Sequence, residues 1–372
     1  MHLRSEGFRP RVAAVMLLCA LGMGVAVAQQ PASSPQTPPL TIDRDPVASP
    51  DVEAPPAPAS EAPQGIALGK IARENGKYTL RQDAYEVRLN ATVLDGNGQS
   101  IMDLKQDAFH VYEDGVPQTI VSFRHEDLPV SLGILIDSSG SMYDKRLAVN
   151  QASLDLVKLS NPQDEAFLVD FSWEPFIDQD FTSDIDKLKD GLGYIKSSGG
   201  TALYDTLIAS ADYLTKNAKR PKQVLLVVTD GEDNASTATL EQTVRRIQDL
   251  DGPVIYCVGL LFGDDSSKSE SRHARRVLET LAEQTGGLAY FPRNLKEVGP
   301  IASEVAEDIR TQYSIAYRST KSPALGGYRQ VHVEAKAKGY GRLQVRTRTG
   351  YFPKVADPNA VAPGLNDPGK RP

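Results

Sequence analysis

The residues of this 372-residue chain that could do chemistry together stand in three short clusters of oxygen-bearing side chains, far apart in sequence. Asp137-Ser138-Ser139-Gly140-Ser141 ends one apolar run, Gly199-Gly200-Thr201 stands directly before a helical pattern, and Thr229-Asp230-Gly231 closes a second apolar run. From them, Asp137, Ser139, Ser141, Thr201 and Asp230 offer only carboxylate and hydroxyl oxygens. Such hard donors suit magnesium, manganese or calcium and not zinc or copper, with Mg2+ the first choice. Each cluster alone has a plainer reading. Small polar residues at a strand end often turn the chain, and a Thr before a helix is a good N-cap.

The elements around the clusters decide whether they can meet. Short continuous apolar runs alternate with segments of helical period through the middle of the chain, the pattern of a parallel sheet covered on both faces. Strands are expected at 130–137, 166–171, 224–229 and 254–260, with weaker ones at 176–181 and 288–291. Helical faces recur at Ala148, Ala152, Leu156 and Leu159, at Leu203, Leu207, Ala211 and Leu214, and at Leu240, Val244, Ile247 and Leu250. Two more helices are expected, one through Ala274 to Leu281 before Gly286-Gly287 and one through Ile301 to Ile309. If the strands are parallel, all three clusters emerge at one carboxyl edge of the sheet, where open α/β sheets bind ligands.

Asp-x-Ser-x-Ser at the first strand's end, a Thr after a glycine pair and an Asp before Gly together resemble the metal-ion-dependent adhesion site of von Willebrand factor type A domains. The resemblance runs from about Leu128 to Tyr313 and lacks none of the five residues. It implies a Rossmann-like, doubly wound, mostly parallel α/β fold. It further implies that Ser139, Ser141 and Thr201 touch the metal through hydroxyls while Asp137 and Asp230 hold coordinating waters, with Thr201 able to switch contact. Neutral hydroxyls would then leave the ion much of its charge, favouring an anionic ligand such as the Asp or Glu of a protein partner. By the same resemblance the last helix, before Thr311, is where a change of shape would fall.

The flanks resemble those of bacterial exported proteins in which such a domain sits between β segments. Tyr85, Val87, Leu89, Ala91 and Val93 alternate with polar neighbours, Phe109 and Val111 alternate again, and 120–123 makes a third short strand. Alternation returns in Tyr313, Ile315 and Tyr317, in Val331, Val333 and Ala335, and in Leu343 and Val345. About three strands on each side is near the lower limit of independent stability, so both flanks are expected to join in one all-β sandwich around the inserted α/β domain. The boundaries expected are a signal peptide at 1–28, a Pro/Ala/Ser-rich disordered linker at 29–76, β segments at 77–127 and 312–353 around an α/β domain at 128–311, and a loose tail at 354–372.

The signal reading rests on Arg4, Arg9 and Arg11 before an apolar run from Val12 to Ala28 that ends in Ala26-Val27-Ala28. The run falls just short of a full membrane span, so an uncleaved anchor is the alternative. Leu18 before Cys19 is too large for a lipoprotein box, and Cys257 lies in an apolar run as a buried, inert thiol. The location expected is the periplasm, the outer surface or the medium.

A net charge of -7 disfavours a nucleic-acid partner. His110, His125, His273 and His332 fall in no serine-triad motif, and neither a Gly-x-Ser-x-Gly elbow nor a phosphate-binding glycine loop is present. A metal-dependent hydrolase is therefore the least favoured class. The leading expectation is a non-enzymatic exported binding protein for adhesion or envelope assembly. The alternative is an envelope component whose metal only stabilises the fold. Glu232 and Asp233 read as an exposed acidic loop, Asp205 as a first-turn residue favourable to the helix dipole, and Trp173 as packing. Two glycosylation-like triplets, at Asn90 and Asn234, read as chance. The oligomeric state is left open.

Overall fold

The computed structural model describes residues 70–74, 77–81, 86–125, 127–159, 161–250, 252–262 and 268–354. The expected signal peptide, most of the expected linker and nearly all of the tail lie outside them. Strands β1 (Lys70–Glu74) and β2 (Lys77–Arg81) pair antiparallel as a separate two-stranded sheet. β1 falls inside the 29–76 stretch read as linker. Asn75-Gly76 between the strands is the strongest short hairpin signal a sequence carries. Next come β3 (Glu86–Leu94), β4 (Phe109–Glu113) and β5 (Val116–Arg124).

The α/β unit contains β6 (Val130–Asp137), α1 (Arg146–Leu159), β7 (Glu165–Phe171), β8 (Pro175–Thr182), α2 (Ile185–Tyr194), α3 (Leu203–Asn217) and β9 (Lys222–Thr229). It continues through α4 (Leu240–Asp249), β10 (Val254–Gly259), α5 (Lys268–Thr285), β11 (Ala289–Tyr290) and α6 (Val298–Thr311). Its six strands lie in the order β11-β10-β9-β6-β7-β8, all parallel except β8. Only three residues, Ser172 to Glu174, separate β7 from β8, too few for a parallel crossover, so the pair is a hairpin.

Alternation within a fully buried strand covers both faces. On β6, Ile134 and Ile136 face a core completed by Leu156 of α1, Leu188 of α2 and Val305 of α6. Leu135 faces the opposite core, with Leu207 of α3, Ile247 of α4 and Leu278 of α5. A sheet covered on both sides in this way exposes its strand ends, and chemistry is confined to the loops there.

After α6 come β12 (Tyr313–Arg318), β13 (Arg329–Ala335), β14 (Gln344–Arg346) and β15 (Gly350–Tyr351). The strands of both flanks join, as expected, in one all-β unit. It is built as a seven-stranded half-barrel sheet, order β14-β3-β12-β5-β4-β13-β15. Leu89, Val111, Tyr313, Val333 and Tyr351 share its core. A buried polar knot locks this sheet: Glu113 accepts from the hydroxyls of Tyr317 at 2.7 Å, Tyr351 at 2.8 Å and Ser319 at 2.8 Å, with Arg329 at 3.4 Å. A second knot ties it to the α/β unit, where Asp308 of α6 accepts from Arg346 of β14 at 2.5 Å and from Thr92 of β3 at 3.3 Å.

Candidate metal centre

The parallel register brings the three clusters to one edge. β6 and β9 are neighbours, Ile136 standing opposite Val228, so Asp137 and Asp230 leave the sheet side by side. The first loop is short and pinned. Ser138 donates its amide to Phe171 O at 2.8 Å, one 3-10 turn spans Gly140–Met142, and the Met142 side chain is fully buried in the core beneath. The second loop is strapped to the first by Ser198 N on Ser138 O and to the β7–β8 turn by Ala202 N on Ser172 O, both 2.7 Å.

Asp137 is fully buried. Its Oδ1 accepts from the Ser139 amide at 2.8 Å and its Oδ2 from the Thr229 hydroxyl at 2.6 Å. Burial pushes its carboxyl up from 3.8 to about 6, although the bonds from Thr229 and Ser139 pull the other way. The Ser139 and Ser141 hydroxyls stand 3.2 Å apart, and Ser141 Oγ donates to Asp230 Oδ1 at 2.8 Å. Thr201 is buried, and its Oγ1 lies 3.8 Å from where a Cβ on Gly231 would stand, so it faces the same turn. A cavity of about 420 Å³ is lined by Ser139, Ser141, Thr201 and Asp230, and Asp137 joins them through the Ser139 amide. All five expected residues are therefore brought to one place.

The donor set fits a hard cation. Among the described residues no three His, Cys, Asp or Glu side chains converge in a way that could hold a metal ion, so a cation here would draw on the hydroxyls of Ser139, Ser141 and Thr201 beside the Asp230 carboxylate. Ser139, Ser141 and Thr201 line the cavity and could coordinate directly. Asp137, held back by two bonds, could orient them.

Four other residues shape the site beyond what was read from sequence. Asn234, dismissed with its chance triplet, accepts from Thr201 N at 2.9 Å and returns its own amide to Thr201 O at 3.0 Å, clamping the second loop to the third. Asp233 is more than part of an acidic loop: it accepts from Tyr204 N at 3.0 Å and from the Ser236 hydroxyl at 2.6 Å. Asp205 accepts from Thr237 N at 2.8 Å and Ala238 N at 3.0 Å, so it fastens this loop to α3 besides suiting the dipole. Trp173 is both packing and surface. It is 64% exposed, yet a Cβ on Gly199 (φ +89°) or Gly200 would meet its ring at 2.6 or 2.8 Å, so only glycine admits the indole here. Cys257 is fully buried, as expected, and burial pushes its thiol up.

Residues 132–304 match the von Willebrand factor type A domain family, and with the doubly wound sheet around them they form such a domain. The chain is 25% identical over 215 residues to inter-alpha-trypsin inhibitor heavy chain H4 of Bos taurus, a match covering 52% of this chain and 22% of that protein. It is 28% identical over 167 residues to calcium-activated chloride channel regulator 3A-1 of Mus musculus, covering 42% and 17%. The chain thus spans about a fifth of the length of these relatives. Among solved structures, a von Willebrand factor type A protein of Catenulispora acidiphila matches with TM-score 0.42 at 14% identity, over 72% of this chain and 75% of that one. No helix among the described residues is long and apolar enough to cross a membrane.

Proposed function

We propose that the protein is an exported, non-enzymatic binding protein that takes up a divalent cation, Mg2+ first, at this edge and through it grips an Asp or Glu of a protein partner. The observation that carries the reading is the meeting of Ser139, Ser141 and Asp230 oxygens within 2.8 to 3.2 Å at the mouth of one cavity, from loops 89 residues apart. Ser139, Ser141 and Thr201 would hold the cation, with Asp137 and Asp230 behind them. The cation supplies an electrophile for a carboxylate; the chain supplies its seat.

A second reading, in which the metal serves the fold alone, draws on the buried Asp137 carboxylate, which a cation would relieve. The two readings part in one experiment. The tagged protein is exposed to envelope extract with Mg2+, then with chelator, and the Asp137→Ala variant is run beside it. A partner retained only by the wild type with Mg2+ favours the binding reading. Retention unchanged by chelator and by the substitution contradicts it. A drop in melting temperature on chelation, with no partner lost, favours the second.

A further inference from the structure

Lys145 is a cation already built into this edge. Its side chain is 11% exposed, and Nζ stands 2.5 Å from Asp230 Oδ2, on a carboxylate only 1% exposed. The other oxygen of Asp230 takes the Ser141 hydroxyl, so each oxygen of that carboxylate has one protein partner. The backbone of Lys145 is fixed where α1 begins: its amide donates to Met142 O at 3.0 Å and its carbonyl accepts from Val149 N at 3.2 Å. The Phe262 ring lies 5.9 Å from Nζ, on the cavity wall.

Charge at the edge then has a definite balance. Asp137 and Asp230 bring two negative charges and Lys145 one positive. A divalent cation seated among them leaves the edge net positive, whereas without Lys145 it would be neutral. Glu232, Asp233 and Glu270 also line the cavity, but they are half-buried or exposed, where solvent and salt weaken their influence. The Lys145–Asp230 pair is shielded from both, so its charge weighs more.

We propose that Lys145 sets the specificity of the site: its fixed positive charge loosens the hold on the cation and makes the loaded edge demand an anionic ligand. The inference rests on the cation-binding reading above. It names Lys145 as a positioning and charge-setting residue, with no direct contact to the partner.

The test uses Mn2+ alone as the probe, titrated by calorimetry or electron paramagnetic resonance into the wild type and into K145M, K145Q and K145R, each first checked for folding by its melting curve. Losing a cation beside a cation site should tighten Mn2+ binding by about tenfold or more in K145M and K145Q, while K145R restores the weaker wild-type hold. Replacing chloride by acetate at equal ionic strength should tighten Mn2+ binding in the wild type and do so much less in K145M, because the two ligands are coupled reciprocally. If K145M and K145Q bind Mn2+ no tighter than wild type, or more weakly, Lys145 merely props Asp230 and the inference falls while the cation site stands. If neither the wild type nor any variant takes up Mn2+, both fall.

Discussion

Thr229 and Asp137 meet across neighbouring strands at the carboxyl edge of the sheet, the Thr229 hydroxyl donating to Asp137 Oδ2 at 2.6 Å. Thr229 ends β9 fully buried and Asp137 ends β6 fully buried, so this bond joins two loops at their roots. It also fixes which way the carboxylate faces. Replacing Thr229 with Val keeps the shape and removes the donor, leaving a buried acceptor short of a partner. A loss of about 1–3 kcal/mol of stability is expected, read from urea midpoints, together with weaker Mg2+ uptake.

Asp137 itself gives a pH signature. Its carboxyl lies at about 6 in the fold against an ordinary 3.8, through burial. Between those values the folded chain holds a proton the unfolded chain has released, so metal-free stability falls as pH rises through that window and stays reduced above it. The ionised form costs about 3 kcal/mol, to order of magnitude. Asp137→Asn should therefore melt no lower than wild type at pH 7.5 in chelator, yet lose the rise in melting temperature that Mg2+ gives the wild type. Melting curves at pH 4.5 and 7.5, with and without Mg2+, check both halves.

Trp173 and Gly200 separate surface from seat. An Ala at Trp173 removes a largely exposed ring and should leave Mg2+ affinity within about twofold, while partner capture weakens by about tenfold if the indole is a contact anchor. An Ala at Gly200 would bring a Cβ within 2.7 Å of Asn234 Oδ1, the atom that holds Thr201 N. That change should weaken Mg2+ binding itself. Calorimetry with Mg2+ and partner pull-down, run on both variants, tell the effects apart.

The half-barrel has its own weak point. Arg329 is 2% exposed and faces Glu113, whose side chain is fully buried. Arg329→Ala leaves Glu113 with hydroxyl donors but no counter-charge. A loss of about 3–5 kcal/mol is expected in urea unfolding, with no change in Mg2+ affinity if the domain remains folded.

Much of this was legible because the physics is local. The run from Val130 to Ile136 is apolar at nearly every position, as a strand covered on both faces requires, and the polar cluster after it had to fall at the sheet edge. Helix α2 was missed: Ile185, Leu188 and Leu192 make a short face, and Gly191 and Gly193 hide it among poor helix formers. The antiparallel β8 could have been read from the three-residue spacer after Phe171. Two contacts could not. Lys145 meets Asp230 across 85 residues, and Asn234 meets Thr201 across 33, with no local pattern marking either pair. The half-barrel was foreseeable only as a union of weak flanks, since the Glu113 knot that closes it draws on residues more than 200 positions away.

The most direct test of the central claim is a crystal grown with Mn2+ and measured at the manganese absorption edge. One anomalous peak is expected about 2.1 Å from Ser139 Oγ and Ser141 Oγ, on the cavity side of Asp137. Crystals of folded protein in millimolar Mn2+ that show no peak there, or show one only at another place on the surface, would contradict the account.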